Sequence, residues 1–145
     1  MCVLKKRDAK DRILLVLQHR PAVSNLSLEF PAGLVDHKDP TIESAALREV
    51  KEECGYVGRV VNLSPTLSYD PGLTSASLSF VHIEIDEDDP INVIPKPQLE
   101  EEEWIETLVV EKDNLLETIH KIVQERKCFV DAKLYTFAYA GHILK

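Results

Sequence analysis

Residues 45–56 read AALREVKEECGY. Neither Gly nor Pro interrupts residues 45–54, and Ala, Leu, Arg, Glu and Lys favour helix, so the composition predicts one short helix there. Gly55 follows as its expected C-cap, where a left-handed backbone meets no Cβ clash. On that helix Glu49, Glu52 and Glu53 stand at i, i+3 and i+4. At roughly 100° per residue they fall within one arc, so three carboxylates are expected to share a face. Leu47, Val50 and Cys54 form the neighbouring apolar stripe that docks the helix on a core. Clustered anions repel one another, and a hard divalent cation reverses the sign of that interaction. Mg²⁺ takes oxygen ligands and commonly bridges carboxylates to phosphate oxygens. An acidic helix face is ordinarily solvated surface; here the flanking sequence decides otherwise.

Upstream lies EFPAGLVD (residues 29–36), in which Pro31 and Gly33 bend the chain after an apolar strand. Gly33, an acid at Asp39, then Arg48 through Tyr56 resembles the Nudix box: G, five residues, E, seven residues, REUxEExGU, with U apolar. The REUxEExGU half matches in full and is highly specific. The first half departs from the pattern. Asp39 stands where the family has Glu, and eight residues separate it from Arg48. The loop before the helix must absorb one extra residue, and Asp39 is expected outside the innermost metal coordination. Further segments are similar to the ADP-sugar pyrophosphatase branch of the family: QHRP (residues 18–21), YDPGLT (69–74), PKP (95–97) and FVDAKLYTFAYA (129–140). The resemblance implies the Nudix α/β/α sandwich with a mixed β-sheet. It also implies Mg²⁺-dependent cleavage of ADP-ribose and related ADP-sugars to AMP and a sugar phosphate, with Mn²⁺ as a substitute, in a homodimer. Members of this branch carry an additional N-terminal region before the strand that begins here near Val3. That region lends strands to the dimer and aromatic residues to adenine, so its loss is expected to weaken adenine affinity while the chemistry survives. An aromatic–base stack is worth roughly 1–3 kcal/mol.

Length and composition set the bounds. At 145 residues the chain is expected to form a single domain over 1–145. A net charge of −8 argues against nucleic-acid polymers and anionic membranes, which want basic patches. It leaves room for a small phosphorylated ligand, because bound divalent ions invert the local field. Cys2, Cys54 and Cys128 are an odd, scattered set with neither CxxC nor a disulfide framework, pointing to a reducing compartment. With no signal peptide and no apolar run near the ~20 residues that span a bilayer, the expected location is cytoplasmic or nuclear.

Along the chain, residues 1–6 read as the end of a strand, and Ile13-Leu14-Leu15-Val16-Leu17 as a buried strand ended by QHRP. Residues 26–30 form a short alternating segment. Residues 59–67 read as a strand broken by Pro65, and residues 75–85 as one half-buried alternating strand. Residues 86–97 are an acidic, proline-punctuated loop, after which Glu100 to Glu103 lead into a strand over 104–110. Leu115, Leu116, Ile119, Ile122 and Val123 recur at helical spacing over about four turns. Asp131 is the expected N-cap of a last helix, with Leu134, Tyr135, Ala138 and His142 on its packed face. Strands and helices are mixed without strict alternation, so an α/β fold with a mixed sheet covered by helices is expected.

Roles carried over from the family fall on matching positions. Glu49, Glu52 and Glu53 are expected metal ligands, joined by the carbonyl of Ala32, while Arg48 orients the box carboxylates. Glu103 aligns with the family's catalytic-loop glutamate, as metal ligand or general base, although four consecutive glutamates ordinarily form a solvated loop. Glu53 and Glu52 are its rivals as base. Arg20 is expected to grip phosphate bidentately rather than serve as an exposed strand-end arginine. Glu29 is expected to hydrogen-bond adenine or support the metal site. Asp70 and Leu73 lie in a loop expected to cover the terminal ribose, though Asp70 also suits a simple turn. His19, His37, His82, His120 and His142 show no ligand spacing. Two other readings stay open: hydrolysis of another nucleoside diphosphate derivative, such as an oxidised guanosine diphosphate or UDP-sugar, and a nucleotide-binding protein with weakened catalysis.

Overall fold

The apolar run at residues 13–17 lies at the centre of the sheet. In the computed structural model, which describes residues 1–144, it belongs to strand β2 (Arg12–Arg20), preceded by β1 (Cys2–Lys5) and followed by β3 (Asn25–Glu29). Helix α1 (Ile42–Cys54) comes next, then β4 (Arg59–Leu63), β5 (Leu67–Ser68), β6 (Ser77–Leu78) and β7 (Val81–Asp86). The chain closes with β8 (Ile105–Glu111), α2 (Leu115–Arg126), β9 (Phe129–Val130) and α3 (Ala132–Ile143). Strands run in the order β4-β7-β1-β2-β3-β9, with β8 also paired to β2, and β5 and β6 form a separate two-stranded ribbon. The sheet is mixed: β1–β7 and β3–β9 are parallel, and the pairs β1–β2, β2–β3, β2–β8 and β4–β7 are antiparallel.

Successive side chains of β2 alternate between two layers, both closed to water. Ile13, Leu15 and Leu17 pack with Leu115, Leu116 and Ile119 of α2 and Leu134 and Ala138 of α3. Leu14 and Val16 pack on the other side with Val50 and Cys54 of α1 and Val81, Ile83 and Ile85 of β7. This is why the run is continuous rather than alternating, and the result is the expected helix–sheet–helix sandwich. Phe30 bridges the loop side of the first layer, edge-on to Phe80 and Phe137 at 5.7 Å each. All three cysteines are free and buried. Among the described residues no helix is long and apolar enough to cross a membrane.

Several boundaries differ from the sequence expectation, each for a local reason. Helix α1 starts at Ile42, three residues earlier than expected. Thr41 and Ser44 exchange side chain–backbone hydrogen bonds, each 3.1 Å, as a capping box with Ser in place of Glu. It ends as expected at Gly55, φ 75°, whose N–H donates to the Lys51 carbonyl at 3.0 Å. The predicted strand over 75–85 is two strands. Ser64 takes both backbone groups of Phe80, donating from its N–H to the carbonyl and accepting the N–H on Oγ, and the chain turns there. Helix α2 is 12 residues, nearer three turns than four. Asp131 caps α3 by accepting from the N–H groups of Lys133 and Leu134. The packed face of α3 carries Leu134 and Ala138, but Tyr135 and His142 are exposed. Tyr135 stands about 100° round from Leu134 and instead stacks on Tyr139, centroids 6.3 Å apart.

Candidate active site

Docking α1 by Val50 and Cys54 turns its acidic edge toward the bend after β3. Glu53 is buried, 7 % exposed, and accepts the N–H of Ala32 on Oε2 at 3.2 Å. Glu49 lies against Gly33: a Cβ built there would stand 2.0 Å from the Glu49 carboxyl carbon. Gly33 is therefore glycine because a carboxylate occupies the space beside its Cα. The third helix carboxylate is drawn aside. Glu52 is more exposed and accepts from Arg48 Nη1 at 2.7 Å. The three glutamates share the helix edge as expected, but Glu49 and Glu53 turn inward and Glu52 outward.

Arg48 holds this edge in place. Its Nε and Nη2 grip Asp39 at 3.0 and 2.9 Å, Nη1 also reaches Glu49 at 2.9 Å, and Nη2 donates to the Leu34 carbonyl at 3.1 Å. Asp39 thereby acquires a position that agrees with its shorter side chain. It faces the arginine from a tight turn in which its own Oδ2 accepts the Asp36 N–H. These partners push the Arg48 guanidinium above its ordinary value, the Asp39 hydrogen bonds most, and hold the Asp39 carboxyl below its own.

The inward carboxylates behave oppositely. Burial pushes Glu53 up to about 8, and Glu49 and Glu103 add to this by repulsion; the Ala32 N–H and Arg20 only partly offset it. Burial likewise raises Glu49, with Glu52 and Glu103 adding to it against Arg48. Glu103 thus lies within electrostatic reach of both, although it is exposed and folds back on its own loop, accepting the Glu100 N–H at 3.0 Å. Among the described residues no three His, Cys, Asp or Glu side chains stand close enough to hold an ion as they are. The donor chemistry nevertheless fits a hard cation: Glu49, Glu53, Glu103 and the Ala32 carbonyl offer only oxygens.

Arg20, expected on phosphate, and Glu29, expected on adenine or in support of the metal site, hold each other. Nε and Nη2 of Arg20 meet the two Glu29 oxygens at 2.9 and 2.7 Å. Both belong to the β2–β3 hairpin on its α1 side, and Arg20 is close enough to feel Glu53 and Asp131. Asp70 and Leu73 occupy an exposed loop, with Leu73 85 % exposed, and the Asp70 carbonyl accepts the N–H groups of Leu73 and Thr74. One further residue escaped the sequence reading. Gln18, two positions before Arg20 on the same face of β2, is 9 % exposed and its amide nitrogen has no partner among the described residues. The signal was present: a polar residue one step beyond an all-apolar run, with strand alternation placing it beside Arg20.

Comparison with known proteins follows the same lines. The NUDIX domain family description matches residues 1–131. The chain is 43% identical over 126 residues to an ADP-ribose pyrophosphatase of Saccharomyces cerevisiae, covering 86% of this chain and 54% of that protein. It is 38% identical over 138 residues to an ADP-sugar pyrophosphatase of Mus musculus, covering 95% of this chain and 63% of the relative. The chain thus spans between half and two thirds of the length of these relatives. A crystal structure of an ADP compounds hydrolase superposes with TM-score 0.56 at 21% identity, covering 80% of this chain and 60% of that one. At that identity the likeness speaks for the fold.

Proposed function

The chain belongs to the Nudix family, and from that premise we propose that it hydrolyses the pyrophosphate bond of ADP-ribose and related ADP-sugars, releasing AMP and a sugar phosphate. The observation that carries this reading is the pairing of buried Glu53 on Ala32 with Glu49 on Gly33, Glu103 within reach of both. Nothing in a packing role calls for two inward carboxylates that repel. Glu49, Glu53, Glu103 and the Ala32 carbonyl would hold the cation, with Glu52 released from Arg48 as a further ligand. Held there, Mg²⁺ (or Mn²⁺) would supply Lewis-acid chemistry, offsetting charge that builds on phosphorus and acidifying the attacking water.

The chain's own groups supply the rest. Arg48, fixed on Asp39, keeps Glu49 and Glu52 oriented. Arg20, pinned by Glu29 along one edge of its guanidinium, presents the other edge to phosphate. Glu103 accepts the proton of the attacking water, with Glu53 and Glu52 next in line, because its exposed loop lets it swing toward the buried pair. Asp70 and Leu73 close on the sugar half. The small nucleotide-sugar is the partner this site suits, and the family resemblance extends the proposal to a homodimer, which sedimentation velocity tests. For the activity, a panel of nucleoside diphosphate derivatives is incubated with Mg²⁺ and products are separated. AMP released from ADP-ribose faster than products from UDP-sugars or guanosine diphosphates supports the reading; the reverse order transfers the site to another nucleotide.

A further inference from the structure

Lys133, in the first turn of α3, reaches Tyr69, 64 positions earlier in the chain. Its Nζ stands 4.6 Å from the centre of the Tyr69 ring and 3.5 Å from the hydroxyl, while 2.5 Å from Asp131 Oδ2. Asp131 is itself anchored. It caps α3, and its N–H donates to the Leu28 carbonyl of β3 at 3.0 Å. The cation is therefore presented from a rigid corner, beside the strand pair that carries Arg20 and Glu29. Tyr69 opens the loop that contains Asp70 and Leu73. Its N–H donates to the Ala76 carbonyl, and the base of the loop is the β5–β6 ribbon, which among the described residues forms a sheet separate from the main one. Among the described residues, the polar and cation–π contacts that join Tyr69 to the helical layer are those of Lys133.

We propose that Lys133 is a positioning residue: by clasping Tyr69 it seats the loop over residues 69–74 against α3, beside Arg20, and so sets how firmly Asp70 and Leu73 close on the sugar half of the substrate. The assignment of Asp70 and Leu73 to the sugar rests on the function proposed above; the clasp itself does not. Tyr69 is 58 % exposed, so its ring is not needed for the core, and the fold survives its replacement.

The test measures amide hydrogen exchange of residues 69–76 without substrate, alongside steady-state kinetics with ADP-ribose and Mg²⁺. In Tyr69→Leu and Lys133→Met, exchange at the unaltered loop amides of Leu73 and Thr74 quickens about two- to fivefold, the worth of an exposed cation–π contact. KM rises by a similar factor while kcat holds. Tyr69→Phe and Lys133→Arg keep ring and cation and match the wild type in both readouts. Lys133→Met also frees the Asp131 carboxylate, so Tyr69→Leu decides where the two differ. Unchanged exchange in Tyr69→Leu, or a fall in kcat at constant KM, overturns the proposal. If no form turns over any nucleotide, the proposed function fails, and the exchange rates still decide the clasp.

Discussion

Glu53 is an ionisable group buried beside other carboxylates, so its titration reports on the site. Its folded value near 8 lies above the ordinary 4.5 because burial and Glu49 disfavour the charge. In the metal-free protein the folded state keeps a proton that the unfolded chain has lost, so stability falls as pH rises from about 4.5 through about 8. Thermal melts in chelator at a series of pH values should show that decline, and Glu53→Gln should flatten it; an unaltered slope in the variant contradicts the assignment. The same substitution is expected to lower turnover by about 10²–10⁴-fold, the range for removing a positioned acid–base or ligating group. Gly33 makes a second test. A methyl there meets only the flexible end of Glu49, so Gly33→Ala should fold and melt nearly as the wild type. It should raise the Mg²⁺ concentration for half-maximal activity by about tenfold or more, as when a ligand's support is disturbed. Both positions stood out in the sequence, Glu53 by its helical spacing with Glu49 and Gly33 by the bend and the family motif, but the contact of Gly33 with the Glu49 carboxylate did not. Legible too was Arg48 as the orienting cation. The outward turn of Glu52 was not, because its direction depends on whether Arg48 or an ion holds it.

At the scale of the element, α1 works because both ends are pinned by different chemistry. Thr41 and Ser44 each satisfy the other's backbone N–H at the N-terminus, and Gly55 ends the helix in the left-handed region with its Cα pressed on the backbone of Lys96. A Cβ at Gly55 would stand 2.3 Å from the Lys96 nitrogen, and backbone cannot yield as a side chain does. Gly55→Ala should therefore cost more than the ~1–2 kcal/mol of a left-handed alanine alone, seen as a drop in thermal midpoint far exceeding that of Gly33→Ala. Equal midpoints would refute this contrast. The C-terminal end of α1 was legible because glycine capping is local. The N-terminal end was missed because serine replaced the usual glutamate of the capping box. Likewise the split at Phe80 depends on Ser64, sixteen residues away, which strand alternation cannot register.

For the whole molecule, the proposed ion site predicts that ion binding and folding are coupled. An ion held by Glu49, Glu53, Glu103 and the Ala32 carbonyl would join α1 to the loop before β8 and to the bend after β3. At an ion concentration about a hundred times Kd, the thermal midpoint should rise by roughly 5–10 °C. Chelator should abolish AMP release and Mg²⁺ restore it; a midpoint indifferent to Mg²⁺ in the wild type would argue against an ion at this site. By itself the sequence determined the apolar spine of β2, the acidic edge of α1 and the family, since each is a short-range pattern of residue types set by strand or helix period. Only the tertiary structure decided who partners whom: Arg20 with Glu29, Arg48 with Asp39, Lys133 with Tyr69, and the Gln18 amide nitrogen with no group among the described residues. Such pairings join side chains 9 to 64 positions apart, beyond what strand or helix period registers, and their geometry follows from how the sheet, its loops and the two helical layers close on one another.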